Sequence, residues 1–209
     1  MDIAIRREEP RDYRVVEELT REAFWNLNVP GCDEHLLAHN LRGTAVFVPE
    51  LDFVAEADSN IVGSIMFCRA RVAEDGGSER EVLTFGPVSV WPRLQRKGIG
   101  GALIRHSLKA AAEMGFTAVL IYGDPIYYCR FSFKPAETFG ICTSEGRFHP
   151  ALQALELGPG ALAVISGRFF EGEAYHVDPE ALAEFDKQFP YKEKFETESQ
   201  KRFLEMLNS

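Results

Sequence analysis

The apolar positions change period several times along the chain, and each change marks an element. Asp2 to Arg7 alternates Ile3 and Ile5 with polar neighbours, which predicts a short half-buried strand. Pro10 then opens a helix over 11–25, with Tyr13, Val16, Leu19, Ala23 and Phe24 near helical spacing. A second helix is predicted over 33–42, with Leu36, Leu37 and Leu41 as its apolar face and Gly43 as its stop. From Ala45 the period falls to two, with Leu51, Phe53 and Ala55 alternating with their neighbours. Asp58-Ser59-Asn60 turns the chain into a second strand over 61–72, a predicted antiparallel hairpin. The polar, Gly-containing stretch 74–80 leads to a third strand over 81–91, rich in Val, Leu and Phe. Gly86-Pro87 inside it predicts a bulge, kink or unpaired edge.

Residues 99–114 read as a strong helix, with Leu103, Ile104, Leu108 and Ala111 on one face and Gly115 as cap. Thr117 to Tyr122 is a short, wholly apolar run, the pattern of a buried parallel strand. Strand, helix and strand therefore make a βαβ unit. Gly123-Asp124-Pro125 opens a helical turn through Arg130, and Phe131-Ser132-Phe133 leads into a further strand. Residues 145–160 carry no clear period, and 161–170 reads as a strand. Asp178-Pro179 is an N-cap and N1 pair for a helix to about Gln188. Thr197 with Gln200 forms a capping box before a last helix to Leu207.

Composition narrows the classes of partner. At 209 residues and 45% hydrophobic, the chain has enough apolar material for a core without staples. A formal net charge of -9 argues against a nucleic-acid or anionic-membrane partner. Four irregularly spaced cysteines without a CxxC read as reduced thiols rather than a disulfide frame or a zinc site. The charged N-terminus has no apolar core of a signal peptide and no stretch is long enough to span a membrane, so the expected location is cytoplasmic.

The chemistry concentrates where the third strand meets the long helix, in Gln95-Arg96-Lys97-Gly98-Ile99-Gly100-Gly101. Glycines let backbone N–H groups crowd toward a ligand, the new helix offers unpaired donors, and Arg96 and Lys97 add positive charge. That is a cradle for phosphate. It is neither a dinucleotide fingerprint, since Leu103 stands where a third glycine is required, nor a Walker A loop.

Gln-x-x-Gly-x-Gly between a strand and a helix resembles the signature of the GNAT N-acetyltransferases. Pro87-Val88-Ser89-Val90-Trp91-Pro92 resembles that family's splayed central strand. Tyr127-Tyr128-Cys129-Arg130-Phe131-Ser132-Phe133 is similar to its Tyr-x-x-Leu/Phe-Gly-Phe element. Gly-Asp-Pro-x-Tyr-Tyr further resembles a bacterial subgroup of predicted acetyltransferases. The resemblance implies an α/β fold with a mixed, mostly antiparallel sheet, a core over 1–145 and a strand and helix extension over 146–209 packed on it. It also implies acetyl-CoA as cosubstrate, no metal, and an amine acceptor on a small molecule or peptide, and it allows a homodimer.

By that resemblance, N–H groups from Arg96 to Gly101, through Lys97, Gly98, Ile99 and Gly100, hold the pyrophosphate. A backbone N–H among Val88, Ser89 and Val90 polarises the thioester. Tyr128 is the general acid, with Tyr127 as the lesser candidate. Cys129 has no His partner at readable spacing and reads as a plain thiol. Histone-type members carry a base where this chain has Thr84, which cannot serve. Glu34 is the first replacement, followed by Glu56 and Glu81. Ser132 stands in place of the family's usual glycine. His35 and His39 lie one helical turn apart, but a third metal ligand is missing, so they read as acceptor-pocket or solvent-facing residues. Loss of the strand glutamate keeps a second reading open, a non-catalytic acyl-CoA-binding module.

Overall fold

The computed structural model describes residues 2–207. Its elements in chain order begin with β1 (Ala4–Arg7), α1 (Tyr13–Phe24), α2 (Glu34–Leu41), β2 (Phe53–Ala57), β3 (Asn60–Ala73) and β4 (Glu79–Val90). There follow α3 (Ile99–Glu113), β5 (Ala118–Tyr122), α4 (Pro125–Tyr128), β6 (Lys134–Pro135), β7 (Ile141–Cys142), β8 (Leu152–Glu156) and β9 (Gly167–Phe170). Helices α5 (Pro179–Asp186) and α6 (Glu198–Leu207) close the described part.

The strands form one mixed sheet in the order β1-β2-β3-β4-β5-β8-β6, with β9 on the far half of β3 and β7 beside β9. Most pairings are antiparallel; β4 with β5 and β7 with β9 are parallel. The β2–β3 hairpin closes through Asp58 and Ser59, both at positive φ (49° and 60°). Such a turn matches the right-handed twist of its strands. Helix α3 starts at Gly98 (φ 88°) and is followed by Gly115 (φ 88°), with Ile99, Leu103, Ile104, Leu108 and Ala111 buried. It lies close on the sheet: a Cβ on Gly63 would stand 3.1 Å from both Ile99 and Leu103. Side-chain alternation splits the core. Phe67, Leu83, Phe85, Val119 and Ile121 pack toward α3. Ala70, Val82, Ala118, Leu120 and Phe169 face the other way.

Three expectations need correcting. Leu51 belongs to a short helical turn over Pro49–Leu51, and the strand begins at Phe53. The patternless stretch 145–160 contains β8, which pairs with β5 from Ala118↔Glu156 to Tyr122↔Leu152. Its flanks are turns and its whole span is short, so periodicity had little to register. Part of the expected extension is therefore a strand of the main sheet. The strand expected over 161–170 is only β9; residues 161–164 are turn. Gly167 opens β9 because a Cβ there would lie 2.2 Å from the Ala73 carbonyl oxygen.

The C-terminal segment is tied to α1. Arg21 Nε donates to Asp186 Oδ1 at 2.9 Å, with the two side chains only 5% and 14% exposed. Trp25 Nε1 and Asn26 Nδ2 both donate to the Glu193 carbonyl, and Gln200 Nε2 donates to the Asn26 carbonyl. The capping box holds: Thr197 N donates to Gln200 Oε1 and Gln200 N to Thr197 Oγ1. These bonds fix the α1–α2 connection, one wall of the site described next.

Candidate active site

The centre of the site is a parting in the sheet. Strand β5 runs parallel to β4 at Leu83↔Val119 and ends at Tyr122. Strand β4 continues past Phe85 through Gly86 and a cis Pro87, and its register against β3 shifts between Ile65 and Phe67. Trp91 N donates to the Val62 carbonyl, and Gly63 pairs with Val90. Alternation along an antiparallel ladder then turns the N–H groups of Val88 and Val90 away from β3, into the gap that β5 has vacated.

A cavity of about 750 Å³ opens at this gap. Val88 and Val90 line one wall; Gln95, Arg96, Gly98, Ile99, Gly100 and Gly101 form its floor; Tyr127, Tyr128 and Phe131 close the far side. The floor carries left-handed backbone at Arg96 (φ 60°) and Gly98 (φ 88°), the kind of turn that can gather N–H groups around an anion before a helix begins. Gln95 Nε2 donates to the Val90 carbonyl at 3.2 Å, tying the loop to the end of β4. A Cβ on Gly100 would stand 3.5 Å from the Tyr127 hydroxyl, so the glycine keeps the floor open beneath that ring.

Two residues of the expected set are not on the cavity lining. Lys97 is not among the lining residues. Ser89 points to the opposite face, where its hydroxyl donates to Thr20 Oγ1 at 3.0 Å with both residues fully buried. Two cations that sequence reasoning missed do line the cavity, Arg105 and Arg130. Arg105 follows Gly101 by one helical turn and so shares its face, a signal that spacing offered. Arg130 Nε donates to the Tyr127 carbonyl and its guanidinium lies 4.2 Å from the Tyr127 ring centre.

Tyr128 packs against Phe85, Tyr127 and Phe133 with ring centres 5.9, 5.0 and 5.7 Å away. Burial, with lesser contributions from Tyr127 and Asp124, pushes its phenol well above the ordinary range. The hydroxyl therefore keeps its proton at neutral pH. Gly123 makes room for it: a Cβ there would lie 2.2 Å from the Tyr128 ring. Ser132 adopts φ 69°, so the turn that usually carries glycine is kept by a serine.

The expected bases are scattered. Glu34 is not among the lining residues; it accepts from Asn28 Nδ2 at 3.3 Å and from its neighbour's backbone, and burial raises its pKa to about 7. Glu56 pairs with Arg6 at 2.9 Å, and the exposed Glu81 lies 3.5 Å from Arg69. Thr84 is fully buried. His35 and His39 neither join each other nor reach the cavity lining. His35 is fully buried with Nε2 3.1 Å from Asp186 Oδ1, and burial lowers its pKa to about 4, which leaves it neutral. His39 Nδ1 lies 2.8 Å from Glu17. Among the described residues no cluster of three His, Cys, Asp or Glu side chains could hold a metal, and no helix is long and apolar enough to cross a membrane.

Comparison with known proteins places this geometry. The profile of the acetyltransferase (GNAT) family matches residues 13–125. An uncharacterized N-acetyltransferase of Escherichia coli, YhbS, is 27% identical over 164 residues, 78% of this chain and 92% of the relative. A second, YjhQ, is 33% identical over 87 residues, 42% of this chain and 48% of the relative. Among solved structures, E. coli YhbS in complex with CoA superposes with a TM-score of 0.73 at 26% identity, covering 83% of this chain and 91% of that one. A GNAT family acetyltransferase from Brucella melitensis in complex with acetyl-CoA gives a TM-score of 0.67 at 29% identity, covering 84% and 99%. With the glycine loop, the parted central strand and the family profile in agreement, the chain belongs to the GNAT acetyltransferase family.

Proposed function

We propose that the protein transfers the acetyl group of acetyl-CoA to a primary amine by direct attack in a ternary complex. The observation that carries this reading is the cavity at the β4–β5 parting, where the glycine loop before α3 and the protonated Tyr128 phenol line one space. Acetyl-CoA brings a thioester, whose carbonyl oxygen gains negative charge as the amine attacks. The loop from Arg96 to Gly101 offers converging N–H groups and the N-terminus of α3 to a pyrophosphate. Arg96, Arg105 and Arg130 add the positive charge that a multiply phosphorylated ligand requires. The Val88 and Val90 N–H groups point into the gap and are the donors for the developing oxyanion.

Tyr128 supplies the proton that the departing sulfur needs. Its hydroxyl makes no hydrogen bond among the described residues, so its donor is free for a ligand. A phenol raised this far gives up its proton only as the C–S bond breaks and negative charge appears beside it. Premature proton loss is thereby suppressed.

Titration calorimetry with acetyl-CoA, followed by thiol release across a set of primary amines, tests the reading. Micromolar binding and amine-dependent thiol release are expected. No binding overturns it, and binding without thiol release would assign the chain to the non-catalytic acyl-CoA-binding class.

A further inference from the structure

Strand β4 separates two faces at the parting, and the donor side uses only one of them. Thr84 and Phe85 alternate: Phe85 packs toward α3 and Tyr128, while Thr84 looks to the α2 side. On that second face the chain returns. Strand β9 pairs antiparallel with the end of β3, Arg71↔Phe170 and Val72↔Phe169, so Glu171 is next in line beside Ala70. Phe169 packs with Ala70, Val82 and Leu120, and alternation puts Glu171 on the same face. Tyr175 comes one short turn later. Its hydroxyl reaches the Gly86 carbonyl at 3.5 Å, where β4 begins to part, and it lies against Cys68 and Thr84. Tyr122, the last residue of β5, stands on the other flank, with its ring centre 6.1 Å from that of Phe169, and is 42% exposed.

Glu171 therefore lies on this second face, within electrostatic reach of both phenols. Its charge is felt by both, since it helps raise the pKa of Tyr122 and of Tyr175. The other groups around it are Cys68 on β3 and, toward Tyr122, Glu145 and Cys142. The nearby arginines of β3 turn to the opposite face, Arg69 over Phe116 and Arg71 toward Glu79. Among the described residues Glu171 has no hydrogen bond and no ion pair. A half-buried carboxylate without a partner is an uncommon feature, because burial of an unpaired charge is unfavourable.

We propose that the acceptor amine approaches on this second face as an ammonium and that Glu171, in place of the missing strand carboxylate, binds it and takes its proton. This rests on the acetyl-transfer reading above. The ammonium gives one proton to Glu171, which releases it to solvent. The free amine forms the N–C bond to the acetyl carbon and the C–S bond breaks. Tyr128 protonates the departing sulfur, and the second nitrogen proton restores Tyr128 through solvent. Glu171 serves as base and Tyr128 as acid, on opposite faces of one strand. Burial, the only cause at work on it, raises the Glu171 pKa to about 7, where a base is half available at neutral pH.

The test compares wild type with Glu171→Gln, Glu171→Asp and Glu34→Gln. Acetyl-CoA binding is followed by calorimetry, and thiol release is followed with spermidine, histamine, lysine and glycinamide. Glu171→Gln should bind acetyl-CoA within about twofold of wild type and lose about 100-fold or more in turnover at pH 7. Its rate should recover in part at high pH, where solvent supplies free amine. Glu171→Asp should restore part of the loss, which a purely structural role would not require. An unchanged rate and pH profile in Glu171→Gln, or a loss confined to Glu34→Gln, would overturn the assignment. Tight acetyl-CoA binding with no thiol release from any of these amines would also overturn it, while leaving the donor site intact. Failure to bind acetyl-CoA would instead refute the acetyl-transfer reading beneath it.

Discussion

The two faces of β4 are built on opposite principles. The donor face is a single contiguous loop, Gln95 to Gly101, open to solvent, shaped by left-handed backbone and ringed by arginines. In the proposed reading its work falls to main-chain N–H groups, which any sequence with the right glycines can present. The second face is assembled from residues far apart in the chain, with Tyr175 meeting Gly86 across 89 positions. It relies on side chains, two phenols and a carboxylate taken partly out of water. In the proposed reading one face is a general grip for a phosphate ligand, and the other is particular to this chain. The donor is therefore legible from a short motif, and the acceptor is not.

The largest effect that tests this contrast lies between the faces. Tyr128→Phe should leave acetyl-CoA affinity unchanged and lower turnover by about 100-fold to 1,000-fold, read by calorimetry and thiol release. Gly123→Val should reproduce much of that loss, because the added side chain would occupy the place of the Tyr128 ring. Next is the tie between the C-terminal segment and α1. Asp186→Ala strips the buried Arg21 and His35 of their shared partner. It should destabilise the fold by about 3 kcal/mol or more, seen as a fall in Tm of roughly 6–12 °C. At a temperature where the variant is still folded, acetyl-CoA affinity should stay within about twofold of wild type. A large loss of donor affinity would mean that the two regions are not independent.

Smaller effects belong to the grip itself. Gly98→Ala at φ 88° pays a left-handed strain of about 1–2 kcal/mol. Acetyl-CoA binding should weaken by up to about fivefold to thirtyfold, with turnover at saturation preserved. A further effect, independent of the grip, is a stability trend with pH. Burial holds the Glu34 carboxyl near pH 7, above its usual 4.5, so the folded state keeps this proton longer than the unfolded one. Stability from this group is full below about pH 4.5 and declines as pH rises through about 7. Glu34→Gln should therefore raise Tm at pH 8 relative to wild type and leave it nearly unchanged at pH 5, as thermal melts at the two values would show.

Local order explains what the sequence could reveal. The hairpin, the long helix with its two glycine ends and the phosphate loop depend on residues within a turn or two of each other, and period and glycine position expose them. The break at Gly86-Pro87 was equally visible. The strand β8 escaped because it is short and flanked by turns, and its partner β5 lies more than thirty residues earlier. His35 and His39 share a helix face, yet one is drawn to Asp186 on α5 and the other to Glu17 on α1, partners that no spacing rule supplies. Lys97 is absent from the cavity lining although its loop neighbours are on it, and Arg130 enters from another element. The carboxylate beside the parting is the sharpest case. Counting back from the motif glutamine leads to Thr84, whereas Glu171 comes within electrostatic reach of Tyr175, which lies against Thr84, only through the return of β9 onto β3.

The pH dependence of acetyl-CoA turnover in wild type, Glu171→Gln and Tyr128→Phe, at saturating amine, is the most direct test of the division between the two faces. Wild-type turnover should rise through an inflection near pH 7, following Glu171. Tyr128→Phe should be slower throughout and keep that inflection, while Glu171→Gln should lose it. Retention of the inflection in Glu171→Gln, or its loss in Tyr128→Phe, would contradict the placement of base and acid on opposite sides of β4.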